Sequence, residues 1–338
     1  VATIEGGLEY LLSHYAVGRV IDAQRLEQGF VNENWKITTS RGRFFLKRRR
    51  ATPGQASLVR AQHELIEYLG HQGFPAPSLM RTAAGETILT HDHCWYELQE
   101  YIDGEPYDHD RASHLQQSAL TLGVYHSCVR GFAPRALCAS GELYTPGSVG
   151  EMLERLGEAW QAERDPALAG LIQPLEMHVQ ELTVSFAGHG VLDRLVIHGD
   201  YYADNLIFKG DSIVGVVDYD RARREPRVAE LAEALIYFSS PRRGQTRHIV
   251  YPGFLLWEPF SRFLEAYHDA HALEEADARA LPDYVRAIWL YWSARRLLEA
   301  GARPDHALEA LQELSSLVDW ARDNADSMTE AALSALLR

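Results

Sequence analysis

The sequence predicts an α+β protein in which strands gather in residues 1–100 and helices fill most of residues 105–338, with 101–104 as the joint between them. Two observations carry this reading. Short runs such as Trp35-Lys36-Ile37-Thr38-Thr39 alternate with the period of a strand in the first hundred residues. Beyond residue 110 the apolar residues recur at helical spacing instead, interrupted by one cluster of strand-like runs near residues 195–217.

Taken in order, the strand Trp35–Thr39 is turned by Ser40-Arg41-Gly42-Arg43 into a second, Phe44-Phe45-Leu46-Lys47. Thr52-Pro53-Gly54 breaks the chain. A helix then spans Ser57 to Leu69, with Leu58, Ala61, Leu65, Ile66 and Leu69 at helical spacing. Gly73-Phe74-Pro75-Ala76-Pro77 ends it, because proline cannot continue the hydrogen-bond ladder. Thr87-Ile88-Leu89 and Trp95–Gln99 form a pair of strands, and Glu100–Gly104 links to the helical part. Helices are expected over Leu115–Cys128, two or three between 146 and 188 punctuated by Pro166 and Pro174, then Val228–Phe238, Phe254–Tyr267, Pro282–Ala300 and Asp305–Asn324. Their many aromatic residues, Trp289 and Trp292 among them, read as core.

The chemistry concentrates in His198-Gly199-Asp200-Tyr201-Tyr202-Ala203-Asp204-Asn205 and the later Asp218-Tyr219-Asp220. Apolar runs Leu195–Ile197, Leu206–Phe208 and Ile213–Val217 flank these residues, and Gly210-Asp211 is a two-residue turn signal. A hairpin over 206–217 brings Asn205 at its entrance near Asp218 at its exit, where both can share one divalent cation. Asp200 lies on the loop that feeds the first strand. An acid facing a hydroxyl and two hard oxygen ligands for Mg²⁺ are what phosphoryl transfer asks of a protein, since positioning and charge neutralisation dominate its barrier. Asp200 is therefore the candidate base, Asn205 and Asp218 the candidate metal ligands, and Asp220 and His198 supporting residues. Taken singly, each of these residues reads as a turn cap or a core imidazole; the combined spacing is what points to a site. Tyr201 and Tyr202 follow the base directly and are candidates for the acceptor side.

The stretch from Val196 to Ala222, VIHGDYYADNLIFKGDSIVGVVDYDRA, resembles the core signature of the aminoglycoside phosphotransferase superfamily, which also holds choline, methylthioribose and one type of homoserine kinase. It departs from the family's pattern at Tyr201-Tyr202. The resemblance implies a two-lobe, protein-kinase-like fold, with a small five-stranded antiparallel lobe carrying one helix above a mostly helical lobe, and ATP between them. It implies that Gln28–Asn34, with Gly29 and Asn34, covers the phosphates. Lys47 would contact them, with Arg48 to Arg50 leaving its register open by one. It places Glu64, with Glu67 as competitor, as the acid orienting that lysine, and backbone groups near Glu100 and Ile102 at the adenine edge. His126, Arg227 and Glu230 read as structural.

The chain has 338 residues, 46% of them hydrophobic and 24% charged, enough for a sizeable core. No run has the length of a membrane span or the composition of a signal peptide. Three cysteines without metal-ligand spacing argue against a disulfide framework and for the cytosol. A net charge of −14 speaks against nucleic acid as a partner and is compatible with a cationic substrate. The expectation is an ATP- and Mg²⁺-dependent transfer to the hydroxyl of a small molecule: an aminoglycoside, an amino alcohol or a sugar. A non-catalytic nucleotide-binding regulator and a protein Ser/Thr kinase are the alternatives.

Overall fold

A computed structural model describes residues 2–26, 32–52, 54–161, 165–241, 254–301 and 306–337, with side chains from Gly7 onward. By internal contacts the chain divides into two compact units. The first holds residues 1–106, 134–137 and 205–222; the second holds 107–133, 138–204 and 223–338.

The first unit begins with α1 (Ala2–Ser13), followed by β1 (Val20–Leu26), β2 (Glu33–Thr39), β3 (Gly42–Arg50), α2 (Ala56–His71), β4 (Leu89–His91) and β5 (Cys94–Glu100). Its five strands form one antiparallel sheet in the order β1-β2-β3-β5-β4, as the resemblance implies. Alternation decides what each face carries. Trp35, Ile37, Phe44, Leu46, Tyr96 and Leu98 pack with Leu8, Leu11 and Leu12 of α1 into an apolar core. The intervening residues of β3 and β5, Lys47, Arg49 and Glu97, point to the other face, where α2 brings Gln62 and His63. The expected single helix of this lobe is joined by α1. Glycines at positions 6 and 7 weaken its local signal, and burial of Leu8, Leu11 and Leu12 on the sheet compensates.

In the second unit α3 (Ala112–Cys128), α4 (Arg135–Cys138, shared between the units), α5 (Pro146–Ala159) and α6 (Pro166–Phe186) precede β6 (Arg194–Ile197). Thr145 caps α5 by accepting from the Ser148 amide at 3.1 Å, with Pro146 in the first turn where it lacks nothing. Asp165 caps α6 in the same way, accepting from the Ala167 amide at 3.0 Å. Pro174 does not end α6, contrary to expectation. The buried stripe Leu168, Ile172, Leu175, His178 and Leu182 runs through it, and that packing outweighs the one lost ladder bond.

The hairpin β7 (Leu206–Lys209) and β8 (Ser212–Val216) belongs to the first unit, with Gly210 at φ +61° in its turn. Glu105 N donates to Phe208 O at 2.7 Å and Phe208 N donates back to Glu105 O at 2.8 Å, tying the hairpin to the end of the linker. A Cβ on Gly104 would run into that same Phe208 carbonyl, so only glycine fits there.

β9 (Arg223–Pro226) pairs with β6, and α7 (Arg227–Ser239), α8 (Trp257–Ala270), α9 (Glu275–Glu299), α10 (Ala307–Asp323) and α11 (Ala325–Ala335) complete the second unit. In α7, 12 of 13 residues are buried, which makes it the central helix of that core. Helix α9 starts at Glu275 rather than at the expected Pro282, because Glu274 and Asp277 form a capping box.

Candidate active site

One group of candidate residues is an ionic cluster on the α2 face of the sheet, within the first unit. Lys47, 6% exposed, lies 2.8 Å from Asp220 Oδ2, 3.0 Å from Asp218 Oδ1 and 3.9 Å from Glu97 Oε1. Arg49 reaches two of these acids, with Nη2 at 2.5 Å from Glu97 and 2.8 Å from Asp220. Asn32 Nδ2 donates to Asp220 at 2.8 Å, and Gln62 Nε2 donates to the Asp220 carbonyl at 2.8 Å. Burial alone would pull the Lys47 ammonium down, but Asp220, Asp218 and Glu97 outweigh it and hold the group charged, above the ordinary lysine range. The register question among Lys47 to Arg50 resolves by strand alternation. Arg48 points to the opposite face and pairs with Glu33 at 2.6 Å.

Asn205 and Asp218 meet at the mouth of the β7–β8 hairpin. Leu206 pairs with Val216, and Val217 N donates to the Asn205 carbonyl at 2.9 Å, so Asp218 is the next residue beyond a closed ladder. Asp218 has φ +68° and ψ +71°, a left-handed conformation that a non-glycine residue holds only at a cost of about 1–3 kcal/mol. That strain turns the chain into the 3₁₀ turn Tyr219–Arg221 and aims the carboxylate back at Lys47. One amide and one carboxylate suit Mg²⁺, which takes one or two protein oxygens and fills its shell with water and phosphate. No group of three or more His, Cys, Asp or Glu among the described residues could hold a metal by itself.

A separate group of candidate residues is the His198-Gly199-Asp200 loop, within the second unit. Gly199 sits at φ +76°, a left-handed conformation that favours glycine at the residue before the candidate base. Glu230 of α7, 1% exposed, fastens the loop. Its carboxylate accepts from Gly199 N at 2.6 Å, His198 N at 3.2 Å and His126 Nε2 at 2.9 Å. With the proton on Nε2 facing that acid, His126 Nδ1 accepts from the Tyr267 hydroxyl at 2.7 Å. Burial pushes the Glu230 carboxyl up, but the donors facing it, the His126 imidazole first and the Gly199 amide after it, overcome that and leave the group below the ordinary range. Beside the base, His198 Nδ1 accepts from the Asp200 amide at 3.3 Å, and Tyr125 donates its hydroxyl to Val196 O at 2.9 Å. His198 is fully buried, and Asp200 is half-buried.

Several expected site residues stand elsewhere. Glu64 is exposed on the outward stripe of α2 and makes no ion pair with Lys47 among the described residues, because helix phase turns Gln62 and His63 inward instead. Its competitor Glu67 pairs with Arg81. Tyr201 is 1% exposed and donates its hydroxyl to Ser118 O at 2.8 Å, so it is a core residue and not an acceptor contact. Tyr202 is half-buried and stacks on Tyr237 of α7 with ring centroids 4.9 Å apart. Glu100 has its backbone N–H committed to Ser78 O at 2.9 Å, which removes it as a donor to a nucleotide edge. The backbone groups of Ile102 have no partner among the described residues. Asn34 lies within β2, opposite Lys47, and Gly29 falls outside the described residues. Glu97 and His63 escaped sequence reasoning, since a lone acid in a strand and a lone histidine in a helix carry no local signal.

Residues 22–261 match the phosphotransferase enzyme family, and the chain belongs to it. The chain is 27% identical over 215 residues to homoserine kinase of Pseudomonas aeruginosa, an alignment spanning 64% of each chain. It is 26% identical over 306 residues to homoserine kinase of Phenylobacterium zucineum, covering 89% of this chain and 87% of that one. Among solved structures, an amicoumacin kinase in complex with AMP-PNP, Ca²⁺ and Ami superposes with a TM-score of 0.68 at 14% identity, covering 96% of this chain and 93% of that one. A microcompartment-associated aminopropanol kinase gives 0.63 at 15% identity over 97% and 99%. At such identities the likeness establishes the kinase-like fold.

Proposed function

We propose that this protein is an ATP-dependent kinase that moves the γ-phosphoryl group to a hydroxyl of a small amino alcohol, with homoserine as the first acceptor to test. The observation that carries the reading is the buried Lys47 held by Asp218 and Asp220 in a protein that also keeps an acid, Asp200, on a separately fastened loop. A chain that had lost catalysis would have no cause to maintain all of these groups together.

Each residue has a role that its chemistry supports. Lys47 neutralises phosphate oxygens once it exchanges an aspartate for them. Asn205 and Asp218 would hold Mg²⁺, which supplies charge neutralisation at the transferring group. Asp200 accepts the proton of the acceptor hydroxyl as its oxygen bonds to the γ-phosphorus and the bond to the ADP oxygen breaks. The backbone of Ile102, in the linker 101–104, offers a donor and an acceptor to the adenine edge. Tyr202 stacked on Tyr237 presents an aromatic wall suited to an ammonium-bearing acceptor. The expected setting is the cytosol. No helix among the described residues is long and apolar enough to cross a membrane.

An acceptor panel coupled to ADP release tests the reading, with homoserine, aminopropanol, choline, aminoglycosides, sugars and nucleosides as arms. Mg²⁺-dependent ADP release with an amino alcohol is expected. Silence across the panel from a protein that still binds nucleotide would replace the enzyme with a regulator of the same fold.

A further inference from the structure

We propose that Glu97 of β5 is the carboxylate that positions Lys47, and that helix α2 acts on it at one remove, through His63. This rests on the reading of Lys47 as the phosphate-binding lysine. Three observations within the first unit carry it.

Register comes first. Lys47 and Glu97 are directly opposed residues on the antiparallel strands β3 and β5, so the sheet itself sets their approach. An acid on a helix depends instead on how that helix docks. The second observation is the environment of Glu97. It is 3% exposed, and both oxygens are taken: Oε1 by Arg49 at 2.5 Å, with Lys47 at 3.9 Å, and Oε2 by His63 Nε2. His63, 3% exposed, is fixed at its other nitrogen by Thr87 Oγ1 at 2.8 Å. Burial opposes the charge on Glu97, but the His63 bond, Arg49 and Lys47 together keep it ionised.

The third observation is the division of labour among the acids. Asp218 and Asp220 make the two shorter contacts to Lys47, yet Asp220 is separately held by Arg49, Asn32 and Gln62. Lys47 can therefore give up an aspartate to a phosphate without unfastening the hairpin, while Glu97, anchored in the sheet, stays beside it. Glu64 has no part in this arrangement; it is exposed and faces away. His63 and Glu97 are positioning residues: both are buried, and they act on the nucleotide through Lys47.

The test is calorimetric titration of the full chain with AMP-PNP and Mg²⁺, set beside thermal unfolding without nucleotide. Glu97→Gln is expected to weaken AMP-PNP binding about tenfold or more, the loss expected when a buried charged partner is neutralised. Glu64→Ala should stay within about twofold, as a surface change should. His63→Leu should weaken binding, and His63→Gln, which can still place a donor toward Glu97, should restore most of it. A purely structural role would lower the unfolding midpoint of Leu and Gln variants alike and leave the affinity of the folded fraction unchanged.

If Glu97→Gln does not fold, Glu97→Asp keeps the charge but withdraws it by one methylene. Weaker AMP-PNP binding at a near-parental midpoint is then expected, and parental affinity overturns the proposal. Parental affinity in Glu97→Gln, or a larger loss in Glu64→Ala, overturns it equally. Failure of the unaltered protein to bind AMP-PNP would instead sink the kinase reading, and this assignment with it.

Discussion

Substituting Glu230 by glutamine tests how the catalytic loop is held. The carboxylate receives three donors: the amides of His198 and Gly199 and the imidazole of His126. Glutamine has the same shape but only one acceptor oxygen. Its NH₂ must face either the Gly199 amide, now 2.6 Å from Oε1, or the His198 amide and His126, which share Oε2. The less costly placement leaves one buried N–H facing another donor, a penalty of about 1–3 kcal/mol. The bonds that survive also lose their charge assistance, which roughly halves them. Together these give a destabilisation of roughly 3–5 kcal/mol, in line with breaking a buried ionic partner. Urea unfolding followed by circular dichroism would read the loss, and hydrogen exchange over residues 198–200 would show the amides released. A double-mutant cycle with His126→Gln should give a coupling of at least about 0.5 kcal/mol, since the two side chains are bonded. A loss below about 1 kcal/mol with unchanged exchange at 198 and 199 would refute the claim that Glu230 fastens this loop.

Two other perturbations have defined outcomes. Gly104→Ala drives a methyl group into the Phe208 carbonyl and Ile207, and should cost about 1–3 kcal/mol in urea unfolding; a change within the surface range would show that the linker does not touch the hairpin closely. His271 is pushed down to about 3 by burial first, and then by neighbouring positive charge such as that of Arg227 and Arg130. Its folded pKa lies below its unfolded value of about 6.5, so the unfolded chain binds more protons between them and stability is lost as pH falls through that window. The His271→Asn variant should therefore show a smaller drop in unfolding midpoint between about pH 7 and about pH 4 than the parent, and an equal drop would refute the linkage.

What the sequence made legible was local. The turn at Gly210-Asp211 and the strands around it follow from short-range pattern, and the hairpin of the structure matches them; the spacing of Asp200, Asn205 and Asp218 was legible in the same local way. The strand Phe44–Lys47 was readable for the same reason. Glu97 was not, because its meaning comes from lying opposite Lys47 in a register that no local pattern records. Glu64 was misplaced because an acid at a family position says nothing about helix phase, and here the inward stripe brings His63 to the sheet. Tyr201 and Tyr202 are chemically alike in sequence; only the fold separates the one donating to Ser118 in the core from the one stacked on Tyr237. Proline misled twice, at Pro174 and Pro282, where tertiary burial outweighed the break that each residue favours.

The most direct measurement of the central claim is ³¹P NMR of ATP, Mg²⁺ and homoserine incubated with the parent protein and with Asp200→Ala. A new phosphate-ester resonance beside ADP is expected from the parent. The variant should yield none while still binding AMP-PNP as tightly. Ester formation by Asp200→Ala at the parental rate would contradict the assignment of Asp200 as the proton acceptor on which the proposed transfer depends.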